Sequence, residues 1–253
     1  MNPILYPISG AIFGLMIGSF LATIFARWPQ GESVVSGRSR CDHCGQKLRA
    51  VDLIPVFSFI LRAGKCAKCG AAINYDHLVI ELAAGLIGGV ALYAAPGITG
   101  ALGAIFGWLL LILASLDAKW QWLPDRLTMA LAVTGLTGSL IVDDPDFLNR
   151  LIGGISGFFA LFLVGWGYQL LRGREGLGGG DPKLLGAIGC WLGWSALPLV
   201  ILGAALTGLT MAALQRLRGQ GIAADTALPL GSFMAIAAFP LWIIQTMTSG
   251  NLL

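Results

Sequence analysis

Apolar residues run through this chain in long unbroken blocks instead of alternating with polar ones. Eight such runs stand out, at about 4–26, 78–95, 98–116, 127–142, 150–171, 183–196, 197–214 and 229–247. A helical membrane span needs roughly 20 such residues, so the pattern predicts an all-α polytopic membrane protein with about eight transmembrane helices. Only Trp194-Ser195 separates the sixth run from the seventh. The lack of alternation argues against a membrane β-barrel, whose strands switch apolar and polar positions residue by residue. No Lys or Arg precedes the first run and Arg27 follows it, so it reads as a span and not as a cleavable signal peptide.

Composition supports this picture. The 253 residues are 56% hydrophobic and 11% charged, against about a quarter charged in soluble domains. That excludes an ordinary soluble globule and a disordered chain. The 36 glycines follow no collagen period. Small residues such as Gly153, Gly154 and Gly157 read first as close-packing positions between membrane helices. A net charge of +3 is too small to suggest a nucleic-acid partner.

The positions of the cations say more than their sum. Segment 27–77 holds eight of the sixteen Lys and Arg residues. Lys and Arg gather in cytoplasmic loops, so this segment is placed inside. With eight spans, the other inner loops then hold seven more, among them Lys119, Arg126 and Lys183, and only Arg150 falls outside. Both termini are expected to be extracytoplasmic. The chain divides into a first transmembrane helix (1–26), a cytoplasmic insert (27–77) and a seven-helix membrane domain (78–253).

Four of the five cysteines lie in the insert, as Cys41-Asp42-His43-Cys44 and, after 21 residues, Cys66-Ala67-Lys68-Cys69. Two C-x-x-C knuckles at this separation fit a zinc-ribbon-like site in which four thiolates close a tetrahedron and leave no position open. That makes the metal structural, which suits an insert too small and polar to bury much core. Two disulfides are the alternative, disfavoured in a reducing compartment. His43 reads as solvated and Cys190, alone in an apolar run, as a small buried residue. Leu53-Ile54-Pro55-Val56-Phe57 either packs on the ribbon or rests at the membrane interface.

Acids at the ends of spans are costly and default to functional candidates. Asp117 ends the third run, where the helix dipole disfavours a carboxylate; its bland explanation is an ion pair with Lys119 or Arg126. Asp125, in Leu123-Pro124-Asp125, can serve as a first-turn acid. Asp181 follows Gly176-Leu177-Gly178-Gly179-Gly180 and precedes Pro182, so it can serve as an N-cap. The chemical alternative is a pair. Two carboxylates held close share a proton, so one can activate water while the other acts as acid, which is amide hydrolysis without a metal. The glycine run leaves backbone bare for an extended peptide; it also fits a flexible loop. The Gly-Lys-Ser/Thr ending of a phosphate-binding loop is missing.

In order along the chain, Ile17-Gly18-Ser19-Phe20-Leu21, the two Cys knuckles with Asp52-Leu53-Ile54-Pro55-Val56 between them, Glu81, Asp117, Leu123-Pro124-Asp125-Arg126, Gly178-Gly179-Gly180-Asp181-Pro182-Lys183 and Pro229-Leu230-Gly231-Ser232-Phe233 resemble the bacterial prepilin peptidases, or type IV leader peptidases, which are GxGD-type intramembrane aspartic proteases. The resemblance covers nearly the whole chain. It implies catalytic aspartates at Asp117 and Asp181, with Gly178, Gly179, Gly180, Lys183, Asp125 and Glu81 as substrate-binding or neighbouring residues. It implies cleavage of the basic leader from membrane-embedded type IV prepilins or pseudopilins at the cytoplasmic face of the inner membrane. Members with the cysteine insert also N-methylate the new terminal residue with S-adenosylmethionine, so the resemblance implies that cofactor beside Zn2+ on Cys41, Cys44, Cys66 and Cys69. Glu81 is a candidate for contact with the new terminal amine, a buried ion pair being the alternative. Two positions depart from the family: Lys119 replaces an acid, and Ser232 replaces the proline of a late Gly-Pro. Neither departure is expected to touch the aspartate pair. A transporter would put acids near mid-bilayer and repeat its spans; a docking scaffold would tolerate loss of both aspartates.

Overall fold

The computed structural model describes residues 4–34, 40–41, 43–47, 49, 54–174, 176–219 and 228–250. Asp42, Asp52 and Leu53 of the motifs above lie outside the described residues. Among those described, the chain is helical, with isolated bridges and no strand. It divides into two compact units, Met1–Ile112 and Leu113–Leu253.

The first unit is built on α1 (Leu5–Arg27) and α3 (Tyr75–Ala94), with the short α2 (Phe57–Leu61) between them and the start of α4 (Ile98–Trp120) after them. α1 and α3 meet along a stripe of small residues. A Cβ on Gly14 would collide with the carbonyl of Ala84, and one on Gly18 would stand 2.6 Å from the Cα of Glu81. Backbones this close maximise dispersion contact where lipid offers no hydrophobic drive between helices. Asn74 starts α3 by accepting the Asp76 N–H at 3.0 Å. The buried Trp108 indole donates to the Ala84 carbonyl at 2.9 Å and so ties α4 to α3. α2 turns Phe57, Ile60 and Leu61 outward, 54%, 67% and 66% exposed, instead of packing them on the cysteine knuckles.

The second unit holds the end of α4, α5 (Asp125–Gly138), α6 (Phe147–Arg172), α7 (Asp181–Leu192), α8 (Leu197–Leu217) and α9 (Leu230–Gly250). Every residue of α7 except Lys183 is buried, and a helix apolar on all sides belongs in a core. Gly153 and Gly157 of α6 face the α7 backbone at Gly189 and Leu185, which meets the packing expectation for them. The Trp191 indole donates to the Leu131 carbonyl at 2.7 Å and joins α7 to α5. Cys190 is buried, as expected.

All eight apolar runs are largely helical, and among the described residues six helices are long and apolar enough to cross a bilayer: α1, α3, α4, α6, α8 and α9. α5 has 14 residues and α7 has 12, or about 21 Å and about 18 Å at 1.5 Å per residue, short of a ~30 Å hydrocarbon core. By length and composition, six of the eight expected spans are supported, and α5 and α7 are left unconfirmed as crossings. α7 stops at Gly193, whose φ of 76° breaks the helix before the tight turn Trp194–Ala196. Hydropathy continues past that point while the helix does not.

Arg150, the outlier of the charge pattern, is buried in carbonyl oxygens. Its Nε donates to Pro145 O at 2.7 Å, Nη1 to Gly135 O at 2.8 Å and Nη2 to Val142 O at 3.0 Å. Gly135 is in the last turn of α5, where carbonyls lack intrahelical donors and a cation is favoured. The residue acts as a cap built from a distant side chain.

Candidate active site and metal centre

Asp117 sits in the last turn of α4 and is 6% exposed. Its expected bland partner was a cation. It is met instead by the start of α9: the backbone N–H of Ser232 donates to Asp117 Oδ2 at 2.7 Å, and Ser232 Oγ lies 2.9 Å from the same oxygen. The Ser232 hydroxyl is also 2.9 Å from Ala114 O, and its single proton can go to one acceptor at a time. Asp117 thus stands where its own helix dipole disfavours a carboxylate and where the free N–H groups of another helix favour one. This corrects the expectation that the Ser232 departure leaves the aspartate pair untouched. Gly231 makes room for the arrangement, since a Cβ there would stand 3.0 Å from Asp117 Oδ2. The Lys119 ammonium lies 5.8 Å from the Trp120 ring.

Asp181 is 8% exposed and is the first residue of α7, one position later than an N-cap; Gly180 occupies the cap position and makes no side-chain cap bond. Asp181 lies outside the six bilayer-length helices. Burial first, and then the charge of Asp117, push its carboxyl up to about 6, opposed by a hydrogen bond from the Gly178 backbone. Asp117 and Asp181 are thus brought within electrostatic reach of each other, and Asp181 keeps its proton to a pH at which an ordinary aspartate has lost it.

The glycine run separates into three roles. A Cβ on Gly178 would stand 3.2 Å from Asp181 Oδ2, one on Gly180 would stand 2.8 Å from Leu123 Cβ, and one on Gly179 would meet nothing. Gly179 is the position that offers bare backbone. Asp125 begins α5, as its first-turn reading expects, and its carboxylate pairs with Lys183 Nζ at 2.7 Å. That pair links the starts of α5 and α7. With side chains 46% and 72% exposed, it contributes at most about 1 kcal/mol.

In the first unit, Cys41, Cys44, Cys66 and Cys69 converge with all four sulfurs within 4.8 Å of one another, and no disulfide joins them. The two knuckles repeat one local design. Cys41 N donates to Gln46 O and Gly45 N to Cys41 O; Cys66 N donates to Ala71 O and Gly70 N to Cys66 O. Gly45 and Gly70 supply the left-handed turns, at φ 68° and 69°. Edges of a tetrahedron of thiolates around an ion at ~2.3 Å are close to ~4 Å, and Cys41 Sγ is 4.0 Å from Cys69 Sγ. The cluster could hold a metal ion. Glu81 is buried, and its Oε2 accepts the Val56 backbone N–H at 2.8 Å; among the described residues no cation pairs with it. Val56 has the positive φ of 61° that side chains rarely adopt.

Comparison with known proteins places this geometry. The family model described as type IV leader peptidase family matches residues 104–213, and that of the bacterial peptidase A24 N-terminal domain matches residues 12–95. The chain is 34% identical to the prepilin leader peptidase/N-methyltransferase of Dichelobacter nodosus, over 90% of this chain and 88% of that one. It is 36% identical to the protein of that name from Dickeya chrysanthemi, over 89% and 88%. For the one from Pseudomonas aeruginosa the identity is 31%, over 94% and 90%. The chain belongs to the type IV leader peptidase family. No solved structure matches it. Both acids of the candidate pair fall inside the stretch matched by the leader peptidase model, and the cysteine cluster falls inside the N-terminal one. With six bilayer-length apolar helices, this leader peptidase relative is a multi-pass membrane protein.

Proposed function

We propose that this chain is a prepilin leader peptidase and N-methyltransferase of the bacterial inner membrane. Its Asp117 and Asp181 cleave the basic leader of type IV prepilins or pseudopilins at the cytoplasmic face, and the new terminal amine is then methylated. The observation that carries the reading is the buried pair itself: two acids 64 positions apart, one raising the proton affinity of the other. Orientation follows from the Lys and Arg distribution. With all eight helices crossing, α4 ends and α7 begins at the cytoplasmic face, and both termini are extracytoplasmic.

Ser232 holds Asp117 as an acceptor, so Asp117 is the base and Asp181 the acid. Asp117 takes a proton from water as the water oxygen bonds to the scissile carbonyl carbon. Asp181 donates a hydrogen bond to the carbonyl oxygen. When the C–N bond breaks, the leaving amine takes a proton from the pair, and the carboxyl and amine ends separate. Gly179 gives an extended leader junction room to lie beside Asp181. Four cysteines suit a structural Zn2+, which would staple the insert and take no part in hydrolysis.

The decisive experiment incubates the purified protein with a prepilin and S-adenosylmethionine and weighs the product by mass spectrometry. Loss of the leader and gain of one methyl group are expected; an unprocessed substrate would defeat the reading. Cys41→Ser should lower zinc content and melting temperature far more than it slows cleavage, measured by metal analysis and thermal melting. A fully stable wild type that contains no zinc would refute the staple. Ser232→Ala keeps the N–H donor and removes the hydroxyl. One hydrogen bond to a charged group is worth about 1.5–3 kcal/mol, so cleavage should fall about tenfold or more at unchanged melting temperature. An unchanged rate would assign the hydroxyl proton to Ala114 O instead.

A further inference from the structure

Within the first unit, α2 has two unlike faces. On one, the Phe59 ring packs against the Tyr75 ring at 5.6 Å between centroids and lies over Gly64, where a Cβ would stand 2.9 Å from it. On the other, Phe57, Ile60 and Leu61 fall at helical spacing and stand exposed, with Ile54 exposed just before them. Both ends of the helix turn sharply, at Val56 with φ 61° and at Ala63 with φ 48°. Such backbone persists where its surroundings hold it, yet among the described residues the outward face of α2 stays uncovered. Its position decides what that face meets. Tyr75 is the first residue of α3, a helix of bilayer length, and the Val56 N–H donates to Glu81 Oε2 at 2.8 Å, in the second turn of the same helix. α2 therefore lies beside the opening ~9 Å of a span. In that stretch α3 turns Tyr75, Val79 and Leu82 outward as one apolar stripe.

We propose that α2 is an interfacial anchor: Ile54, Phe57, Ile60 and Leu61 enter the acyl boundary of the cytoplasmic leaflet, and the cations of the insert meet the phosphates of anionic headgroups. The partner is the lipid surface itself. Stable attachment of a surface element takes two signals, such as an apolar face and basic charge, and both are present. Segment 27–77 carries eight Lys and Arg against the four acids Glu32, Asp42, Asp52 and Asp76, a balance of +4. That charge also selects among occupants. A second copy of the chain would bring the same positive charge to the contact, and a substrate with a basic leader would be repelled by it, whereas an anionic leaflet is attracted. The anchor sets the depth of the second cysteine knuckle. Leu61 is five residues before Cys66, and the Ile73 N–H donates to Gly64 O at 2.7 Å, so this knuckle is held between the end of α2 and the start of α3. The inference does not depend on which reaction the chain performs.

The test uses the purified full chain in lipid nanodiscs of phosphatidylethanolamine and phosphatidylglycerol, with a prepilin added. The photoreactive residue benzoylphenylalanine replaces Ile60, Leu61 or, as the reference on the bilayer-length α3, Leu86; all three are exposed, so the larger side chain has room. After ultraviolet irradiation the adducts are identified by mass. The expected result is one phospholipid added at positions 60 and 61, in a yield within about threefold of that at position 86, as for side chains held at the acyl boundary. Phosphatidylglycerol should make up a larger share of the adducts at 60 and 61 than at 86. Adducts joined to the prepilin or to a second copy of the chain in place of lipid overturn the anchor, as does a lipid yield at both positions more than threefold below the reference. Equal lipid shares at all three positions overturn the contact with anionic headgroups.

Discussion

Replacing Asp117 or Asp181 by asparagine is expected to lower leader cleavage by about 10²–10⁴-fold each, the usual worth of a positioned acid or base, while the protein still inserts and folds. The substitution keeps volume and shape and removes only the ability to hold or move a proton. In Asp117→Asn an amide oxygen can still accept the Ser232 N–H seen at 2.7 Å, so the start of α9 stays in place. In Asp181→Asn the consequence for stability has a definite sign. The folded carboxyl titrates near 6 against an ordinary value of 3.8, so folding binds a proton between those values and the ionised form opposes folding above them. Asparagine cannot ionise. The variant should therefore melt no lower than wild type at pH 8, with its advantage shrinking between pH 6 and 4 and gone below. Loss of cleavage together with retained or raised stability separates chemistry from folding. Near wild-type cleavage in either variant would remove the pair from the mechanism.

What could be read from the sequence was whatever is local or periodic. The cysteine knuckles are local: each needs one turn, its Gly45 or Gly70, and a pair of thiols three apart. The helices are periodic in the sense that hydropathy averages over a span. What escaped is long-range. Ser232 and Asp117 meet across 115 residues, and no window contains both. A helix start with a small residue, Pro229-Leu230-Gly231-Ser232, marks an anion-binding end, which is the one signal that could have pointed to it. Arg150 looked like a misplaced charge because a loop-counting rule weighs cations by side and cannot see that its guanidinium closes the end of α5. The lengths of α5 and α7 were not legible for a related reason. An apolar run does not distinguish a helix facing lipid from one surrounded by protein, and α7 is the second kind.

That enclosure makes the α6–α7 contact the most sensitive packing site in the second unit. α7 carries Asp181 at its start, and the backbone of α6 holds it in place through glycine. A Cβ at Gly153 would collide with the carbonyl of Gly189 and would lie 2.8 Å from Gly193 C and 2.9 Å from Trp194 N. All three are backbone atoms, which cannot move aside as a flexible side chain can. Gly167, in the same helix, would meet nothing. The same substitution should therefore have opposite effects about four turns apart in one helix. Gly167→Ala should be neutral or stabilising by up to about 1 kcal/mol, from helix propensity alone. Gly153→Ala should destabilise by about 1–3 kcal/mol, and Gly153→Leu by more, as overpacking does. Because the α6 contact positions α7, cleavage should fall with stability at Gly153 and stay unchanged at Gly167. Thermal melting in detergent and a prepilin cleavage assay read both. Equal melting temperatures for Gly153→Leu and Gly167→Leu would mean that the two helix backbones are not in contact, and the placement of Asp181 would lose its support.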